Sequence, residues 1–226
     1  MTAAATERPT DIRAVLFDFG GVILSSPIDG FRAYERRAGL PAGFLQRINS
    51  LDPDTNAWAC MERGELDLAT FHARLEAEAR AQGHEIDARV VLSQLSGQIR
   101  PELVDVIRTV RDRYRVACLT NNMPVGHGSA MARTPDLAAQ IAEVMALFAH
   151  VIESWKIGAR KPEPRFYALA CEIVGAAPQH CVFLDDLGIN LKPARAMGMT
   201  TIKVGDPAQA IADLEAVLGH PVRRGS

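Results

Sequence analysis

The sequence predicts a doubly wound α/β fold, in which helices cover both faces of a parallel sheet, with a helical insertion after the first strand. Short runs that are apolar on both sides of the chain alternate with longer helical patterns, and the runs end in polar or glycine residues. Buried parallel strands have this pattern. The five runs lie at 14–17, 116–119, 150–154, 181–184 and 200–204.

Helical patterns lie between these runs, at 101–114, 163–175 and 191–198. The last two close with Gly175 and Gly198. Glycine commonly follows the last turn of a helix because it adopts the left-handed backbone conformation at little cost. Residues 123–136, which include Gly-His-Gly, are expected to form a loop at the end of a strand.

A long segment without a convincing strand separates the first two apolar runs. Residues 25–100 instead carry amphipathic patterns, which predict a helical cap inserted into the core. Segments 12–24 and 101–219 then form the core, and the ends 1–11 and 220–226 are expected to be flexible tails.

Composition favours an ordinary intracellular globular protein. The chain has 226 residues, 48% of them hydrophobic, and a net charge of −2. That charge gives no reason to expect nucleic acid or an anionic membrane as a partner. The leader lacks an apolar stretch, so the sequence predicts a cytoplasmic protein. A monomer or a homodimer is expected. The four cysteines are expected to be buried thiols, and the six histidines lack the spacing of zinc ligands.

Polar residues follow four of the apolar runs. In open α/β sheets ligands bind at the carboxyl ends of the strands, so these residues are expected to meet at one site. A single such residue is weak evidence, whereas the ordered set on four strand ends is strong. The set consists of Asp18, Thr120, Asn121, Lys161, Asp185 and Asp186.

This combination suits phosphoryl transfer, which needs a nucleophile, positive charge and oriented donors. Asp18 supplies a carboxylate that can form a covalent aspartyl-phosphate. Thr120 and Asn121 supply a hydroxyl and an amide for the phosphate oxygens, and Lys161 supplies a fixed charge. The acidic pair and Asp18 would repel one another without a cation, and oxygen ligands of this kind select Mg²⁺.

These motifs resemble those of the haloacid dehalogenase-like hydrolases over roughly residues 12–219. The stretch 183–204 is especially similar to the N-terminal phosphatase domain of soluble epoxide hydrolases and to the corresponding domain of acyl-CoA dehydrogenase family 10 proteins. The resemblance implies a Rossmann-like core with a helical cap inserted after the first strand. It implies these roles: Asp18 as nucleophile and magnesium ligand, the Gly20 carbonyl as a further ligand, Thr120 and Asn121 as phosphate ligands, Lys161 as the stabilising charge, and Asp185 and Asp186 as the acidic metal site.

One position departs from the family pattern. Most phosphatases that the chain resembles carry a second Asp, as general acid and base, where this sequence has Gly20. The leading hypothesis is a magnesium-dependent phosphatase acting on a small phosphorylated metabolite. The alternative is a non-catalytic phosphate-binding protein, because Gly20 lacks the acid and base side chain. A haloacid dehalogenase is disfavoured, because the resemblance implies no acidic pair in such enzymes.

Several side chains keep two interpretations. Lys156 competes with Lys161 for the site, although Lys161 has the expected spacing. Asn190 either orients the metal-site carboxylates or caps a helix. The residues expected to be solvated are Lys192 and Arg195. The cap residues that either line a substrate pocket or serve packing are Trp58, Cys60 and Met61.

Overall fold

A computed structural model describes residues 11–123 and 134–223. Its sheet has five parallel strands in the order β3-β2-β1-β4-β5. The strands are β1 (Ala14–Phe17), β2 (Arg115–Thr120), β3 (His150–Glu153), β4 (Cys181–Asp185) and β5 (Thr200–Lys203). The predicted α/β fold with a parallel sheet is confirmed, and each predicted apolar run overlaps a strand.

Helices connect the strands and fill the segment after β1. Their bounds are α1 (Ile28–Ala38), α2 (Phe44–Ser50), α3 (Ala57–Glu62), α4 (Leu68–Ala81), α5 (Ala88–Ser93), α6 (Pro101–Val110), α7 (Pro135–Met145), α8 (Ser154–Ile157), α9 (Pro164–Val174), α10 (Gly188–Ala196) and α11 (Pro207–Leu218). Helix α9 ends at the expected glycine, Gly175, which has a φ of 69°. Helix α10 begins earlier than the predicted 191, because Asp185 Oδ1 accepts the Leu187 N–H and turns the chain directly after β4.

The side chains of alternate residues in the central strand, β1, pack into two separate hydrophobic layers. Val15 and Phe17 pack with residues of α6, α7 and α11 on one face of the sheet. Ala14 and Leu16 pack with residues of α9 and α10 on the other face. All four are fully buried. Because β1 is covered on both sides, the residue that follows it is held at the middle of the sheet's carboxyl edge.

Helices α1–α5 form what we call the helical insertion. They have a hydrophobic cluster of their own, in which Trp58 and Phe71 make an edge-to-face contact of 5.1 Å between ring centroids. Met61 lies in the same cluster and is fully buried, and Met123 of the core joins it. Trp58 and Met61 therefore serve packing in this structure. The insertion leaves and re-enters the core at one place, where Leu24 and Ile99 form an isolated antiparallel bridge.

The C-terminal segment differs from the predicted tail. Val222 is fully buried in the core, and its N–H donates to Glu215 Oε1 at 3.1 Å. His220 stacks on Tyr114 with 5.8 Å between ring centroids. The core thus extends to residue 222, because an apolar side chain follows the end of α11. The predicted tails at 1–10 and 224–226, and most of the predicted loop 123–136, lie outside the described residues.

Two further sequence predictions concern bulk properties. The four cysteines are free and buried, as expected for small apolar side chains. Within the described residues, no helix has both the length and the apolar character needed to cross a membrane.

Candidate active site

Asp18 stands at the end of β1, in the centre of the site. Its backbone N–H donates to the Leu184 carbonyl at 2.8 Å, which continues the pairing between β1 and β4. Its Oδ1 accepts the N–H of Phe19 at 2.7 Å, so the side chain is fixed by the turn that follows. The residue is 7% exposed. The backbone of Asp18 is therefore held by β4, and its carboxylate is oriented by the N–H of Phe19.

The turn Phe19–Ile23 contains two glycines with different demands. Gly21 has a φ of +80°, and a Cβ there would lie 2.1 Å from Asp186 Oδ2. The close approach of this backbone to Asp186 requires glycine. Gly20 has a φ of −72° and is exposed, and a Cβ there would meet nothing within 4 Å. The structure thus explains Gly21 by space and backbone conformation and places no such demand on Gly20.

Lys161 bridges two of the carboxylates. Its Nζ lies 2.7 Å from Asp18 Oδ1 and 2.8 Å from Asp185 Oδ2, and the side chain is 1% exposed. Burial by itself lowers the pKa of Lys161, but Asp18 and Asp185 outweigh it and hold the pKa above its ordinary value. The lysine is therefore a permanent positive charge beside Asp18. Lys156, the competing lysine, instead pairs with Glu153 and has a side chain that is 55% exposed.

Asp185 is held by donors on both oxygens. Oδ1 accepts the Leu187 N–H at 2.8 Å, Oδ2 accepts from Lys161, and the Asn190 amide lies 3.1 Å from each oxygen. The Asn190 side chain thus orients a carboxylate of the acidic pair and is not the cap of α10. Its backbone carbonyl accepts the Tyr167 hydroxyl at 2.6 Å, which fixes it in turn. Asp185 is oriented mainly by these contacts and by Lys161.

The Asp186 carboxylate has fewer hydrogen-bond partners than that of Asp185, and it lies close to the carboxylates of Asp18 and Asp185. Ser26 Oγ donates to its Oδ2 at 3.3 Å. Ligand atoms of Asp18, Asp185 and Asp186 all lie within 4.8 Å of one another. Burial and then Asp185 raise the pKa of Asp186 to about 6, and burial raises the pKa of Asp18 to about 8 although Lys161 lowers it.

The donor set fits a hard divalent cation. Three carboxylates face a single lysine in a buried place, and a nearby cation favours their charged forms. The groups are all oxygen donors, which suits Mg²⁺ and disfavours softer metals. The residues present therefore fit the predicted metal, with Asp186 the carboxylate least engaged by protein donors.

Thr120 and Asn121, at the end of β2, make different contacts. Thr120 ends the strand, is buried and pairs with Glu153 of β3. The Asn121 amide group donates to the Lys161 carbonyl and its Oδ1 accepts the Lys161 N–H, both at 2.9 Å. The side chain of Asn121 therefore holds the backbone of Lys161. Its role as a phosphate ligand stays a prediction.

Sequence reasoning missed several residues of this site. Ser26 contacts Asp186, and Tyr167 contacts Asn190, which orients Asp185. Glu62 and Arg160 contact one another at 2.5 Å beside Asn121. Because Arg160 directly precedes Lys161, its place in the sequence is a signal that it lies near the site. Glu62 lies in the helical insertion and carries no local signal. The residues expected to be solvated, Lys192 and Arg195, are exposed.

The glycine pair provides a first test of the geometry. Gly21→Ala is expected to displace Asp186 and to weaken Mg²⁺ binding by at least the roughly 10–100-fold that loss of a ligand-orienting contact costs. Titration calorimetry with Mg²⁺ measures the change. Gly20→Ala is the matched control, because its Cβ enters open space. Equal Mg²⁺ affinity in the two variants would contradict the placement of Asp186.

Comparison with known proteins identifies the family of the chain. The family model for haloacid dehalogenase-like hydrolases matches residues 12–198. Acyl-CoA dehydrogenase family member 10 of Mus musculus is 31% identical over 220 residues and aligns with 94% of this chain. A protein named as a phosphatase from Mycobacterium tuberculosis is 31% identical over 208 residues, covering 88% of this chain and 89% of its own length.

Two of the curated relatives are much longer proteins. The chain spans 20% of the mouse acyl-CoA dehydrogenase family member 10 and 39% of the mouse bifunctional epoxide hydrolase 2, to which it is 31% identical. Among solved structures, an Asp-to-Ala variant of a HAD family enzyme from Bacteroides thetaiotaomicron, in complex with magnesium and inorganic phosphate, superposes with a TM-score of 0.58. It is 20% identical and covers 86% of this chain and 96% of its own. From the family match over most of its length and from the phosphatase relative, we conclude that the chain belongs to the haloacid dehalogenase-like hydrolases.

Proposed function

We propose that this hydrolase is a magnesium-dependent phosphatase that cleaves a small phosphate monoester through an aspartyl-phosphate on Asp18. One observation carries the proposal. Lys161 lies between Asp18 and Asp185 while the three carboxylates converge on one point. The phosphatase named among the relatives and the magnesium and phosphate in the similar structure support the same reaction class.

The side chains divide the chemistry. Among the described residues, the hydrogen bonds to the Asp18 carboxylate fall on Oδ1, which leaves Oδ2 for a new partner. The carboxylate attacks phosphorus, the ester P–O bond breaks, and the alkoxide departs and takes a proton. Water then attacks the phosphorus of the aspartyl-phosphate, which releases inorganic phosphate and restores the carboxylate.

The surrounding charge makes this attack feasible. Lys161 offsets negative charge on Asp18 and on the incoming phosphate. Bound Mg²⁺ would be held by Asp18, the Gly20 carbonyl and the acidic pair, most directly Asp186, and would neutralise phosphate charge. We assign Thr120 as a hydroxyl donor to the phosphate oxygens. The backbone N–H of Asn121 is the group that it offers beside Thr120, because its side chain is already engaged.

The substrate is expected to enter beside the linkers that join the helical insertion to the core, and the insertion acts as the cap. A cavity of about 400 Å³ lies there. Ser26, which lines it, also contacts Asp186. Its other polar lining side chains include Ser25, Asp29, Gln94, Ser96 and Gln98. Hydroxyl and amide groups of this kind suit a small polar metabolite.

Release of inorganic phosphate from a panel of phosphorylated metabolites, with Mg²⁺ and with excess chelator, tests the proposed function. We expect magnesium-dependent turnover of at least one small monoester. A protein that binds Mg²⁺ and phosphate but turns over no ester, including p-nitrophenyl phosphate, would instead be the phosphate-binding protein that Gly20 keeps open.

Gly20 predicts a strong dependence on the leaving group. The aryloxide of an aryl phosphate departs without protonation, whereas the alkoxide of an alkyl phosphate needs an acid. The ratio of kcat/KM for the aryl phosphate to kcat/KM for the alkyl phosphate should therefore be large. Gly20→Asp is expected to raise the alkyl value by up to about 10²–10⁴-fold, the range that acid–base help supplies. The backbone accommodates the substitution, because a Cβ at this position meets nothing within 4 Å and φ is −72°.

Gly20→Asn is the matched control, since its amide has a similar shape but cannot donate a catalytic proton. An equal gain in both variants, or an aryl gain as large as the alkyl gain, would show that the missing acid is not what limits the alkyl reaction.

A further inference from the structure

The end of helix α3 carries a contact that joins the helical insertion to the neighbours of Lys161. Glu62 Oε2 accepts from Asn121 Nδ2 at 2.9 Å and from Arg160 Nε at 2.5 Å. The Glu62 and Arg160 side chains are each 14% exposed. An ion pair so shielded from water is stronger and less screened than a surface pair.

Both partners of Glu62 adjoin Lys161. Arg160 precedes it in the chain, and Asn121 accepts its N–H and donates to its carbonyl at 2.9 Å. Glu62 therefore contacts the two groups that fix the backbone of this residue. The position of the backbone in turn decides whether Nζ can reach Asp18 and Asp185, at 2.7 and 2.8 Å.

Neighbouring residues seat the same end of α3 on the core. Arg63 Nη1 lies 3.2 Å from Glu163 Oε1. A Cβ on Gly64 would lie 2.9 Å from the Trp155 carbonyl, so the two backbones are in close contact there. Glu65, by contrast, contacts Arg63 and is exposed. Of the described residues in the insertion, Glu62 is the one that reaches Asn121.

We propose that Glu62 is a positioning residue for Lys161 and couples the placement of the helical insertion to the nucleophile. Removing its carboxylate would leave Arg160 without a counter-charge and Asn121 without one of its acceptors. The Lys161 backbone would then be less constrained, and displacement of a group in an active site by about 1 Å can cost about 10²-fold in rate. The consequence for turnover rests on the proposed phosphatase function, whereas the coupling itself does not.

The test compares Glu62→Ala, Glu62→Gln and Glu65→Ala by two readouts. The first is kcat and KM for p-nitrophenyl phosphate with saturating Mg²⁺. The second is hydrogen exchange of the peptide that contains residues 159–163, measured together with the thermal unfolding midpoint. Glu65→Ala is the matched control, because it removes a carboxylate three residues away without touching Asn121 or Arg160.

We expect Glu62→Ala to lower kcat by about 10–100-fold and to speed exchange in 159–163, with unfolding still cooperative. Glu62→Gln should lose clearly less than Glu62→Ala in both readouts, because its amide oxygen can still accept from the same two donors although it carries no counter-charge for Arg160. Wild-type kcat and exchange in Glu62→Ala would overturn the proposal, as would equal losses in Glu62→Gln and Glu62→Ala. If the wild type itself turns over no ester, the proposed function fails, and the exchange comparison still decides the coupling.

Discussion

Asp18→Asn is expected to abolish turnover of aryl and alkyl phosphates alike. The amide cannot form the acyl phosphate, and no other described carboxylate combines the central position of Asp18 with a contact to Lys161 and a free oxygen. Loss of a covalent nucleophile costs on the order of 10⁶-fold in kcat. The fold should survive, because the amide oxygen can still accept the N–H of Phe19.

Phosphate release from both substrate types measures this effect, with the unfolding midpoint as a check on the fold. Asp105→Asn is a useful control, since this half-exposed carboxylate on α6 pairs with Arg108 and lies outside the site. Activity near that of the wild type in Asp18→Asn would assign the nucleophile to another group.

Asp186→Asn is expected to weaken Mg²⁺ binding and activity together. Asp185 is held by Leu187, Asn190 and Lys161, whereas the described contact to the Asp186 carboxylate is that of Ser26. We therefore propose that direct coordination of Mg²⁺ falls mainly to Asp186. The loss should exceed the roughly 10–100-fold that second-shell substitutions cost in metal affinity.

The magnesium concentration that gives half-maximal activity, together with calorimetric Mg²⁺ affinity, measures this change. Ser26→Ala is the matched control, because it removes the hydrogen bond to Asp186 but keeps every carboxylate. Its loss should be the smaller of the two. Unchanged magnesium dependence in Asp186→Asn would place the ligand role on another residue.

The sheet was predictable from sequence because burial on both faces demands uninterrupted apolar runs. Val15 and Leu16 face opposite layers and are both apolar, which no half-exposed strand would require. The convergence of Asp18 and Asp185 follows from the same rule, because parallel strands bring their carboxyl ends to one edge.

What the sequence could not predict depends on side-chain choice and on distant contacts. The amide of Asn190 suits a helix cap as well as a carboxylate, and only the structure places it on Asp185. The contact between Glu62 and Asn121 joins residues 59 positions apart, with no local pattern at either one. The docking of Val222 was missed because a short polar C-terminal segment with one apolar residue has the composition of a tail.

The most direct test of the central claim is to trap the acyl phosphate. Wild-type protein mixed with Mg²⁺ and p-nitrophenyl phosphate, quenched during turnover and reduced with borohydride, should carry homoserine in place of Asp at position 18. Peptide mass spectrometry identifies the residue, and Asp18→Asn should show no such product. Steady release of phosphate with Asp18 unmodified after reduction, or with a covalent phosphoryl group on a different residue, would contradict the proposed mechanism.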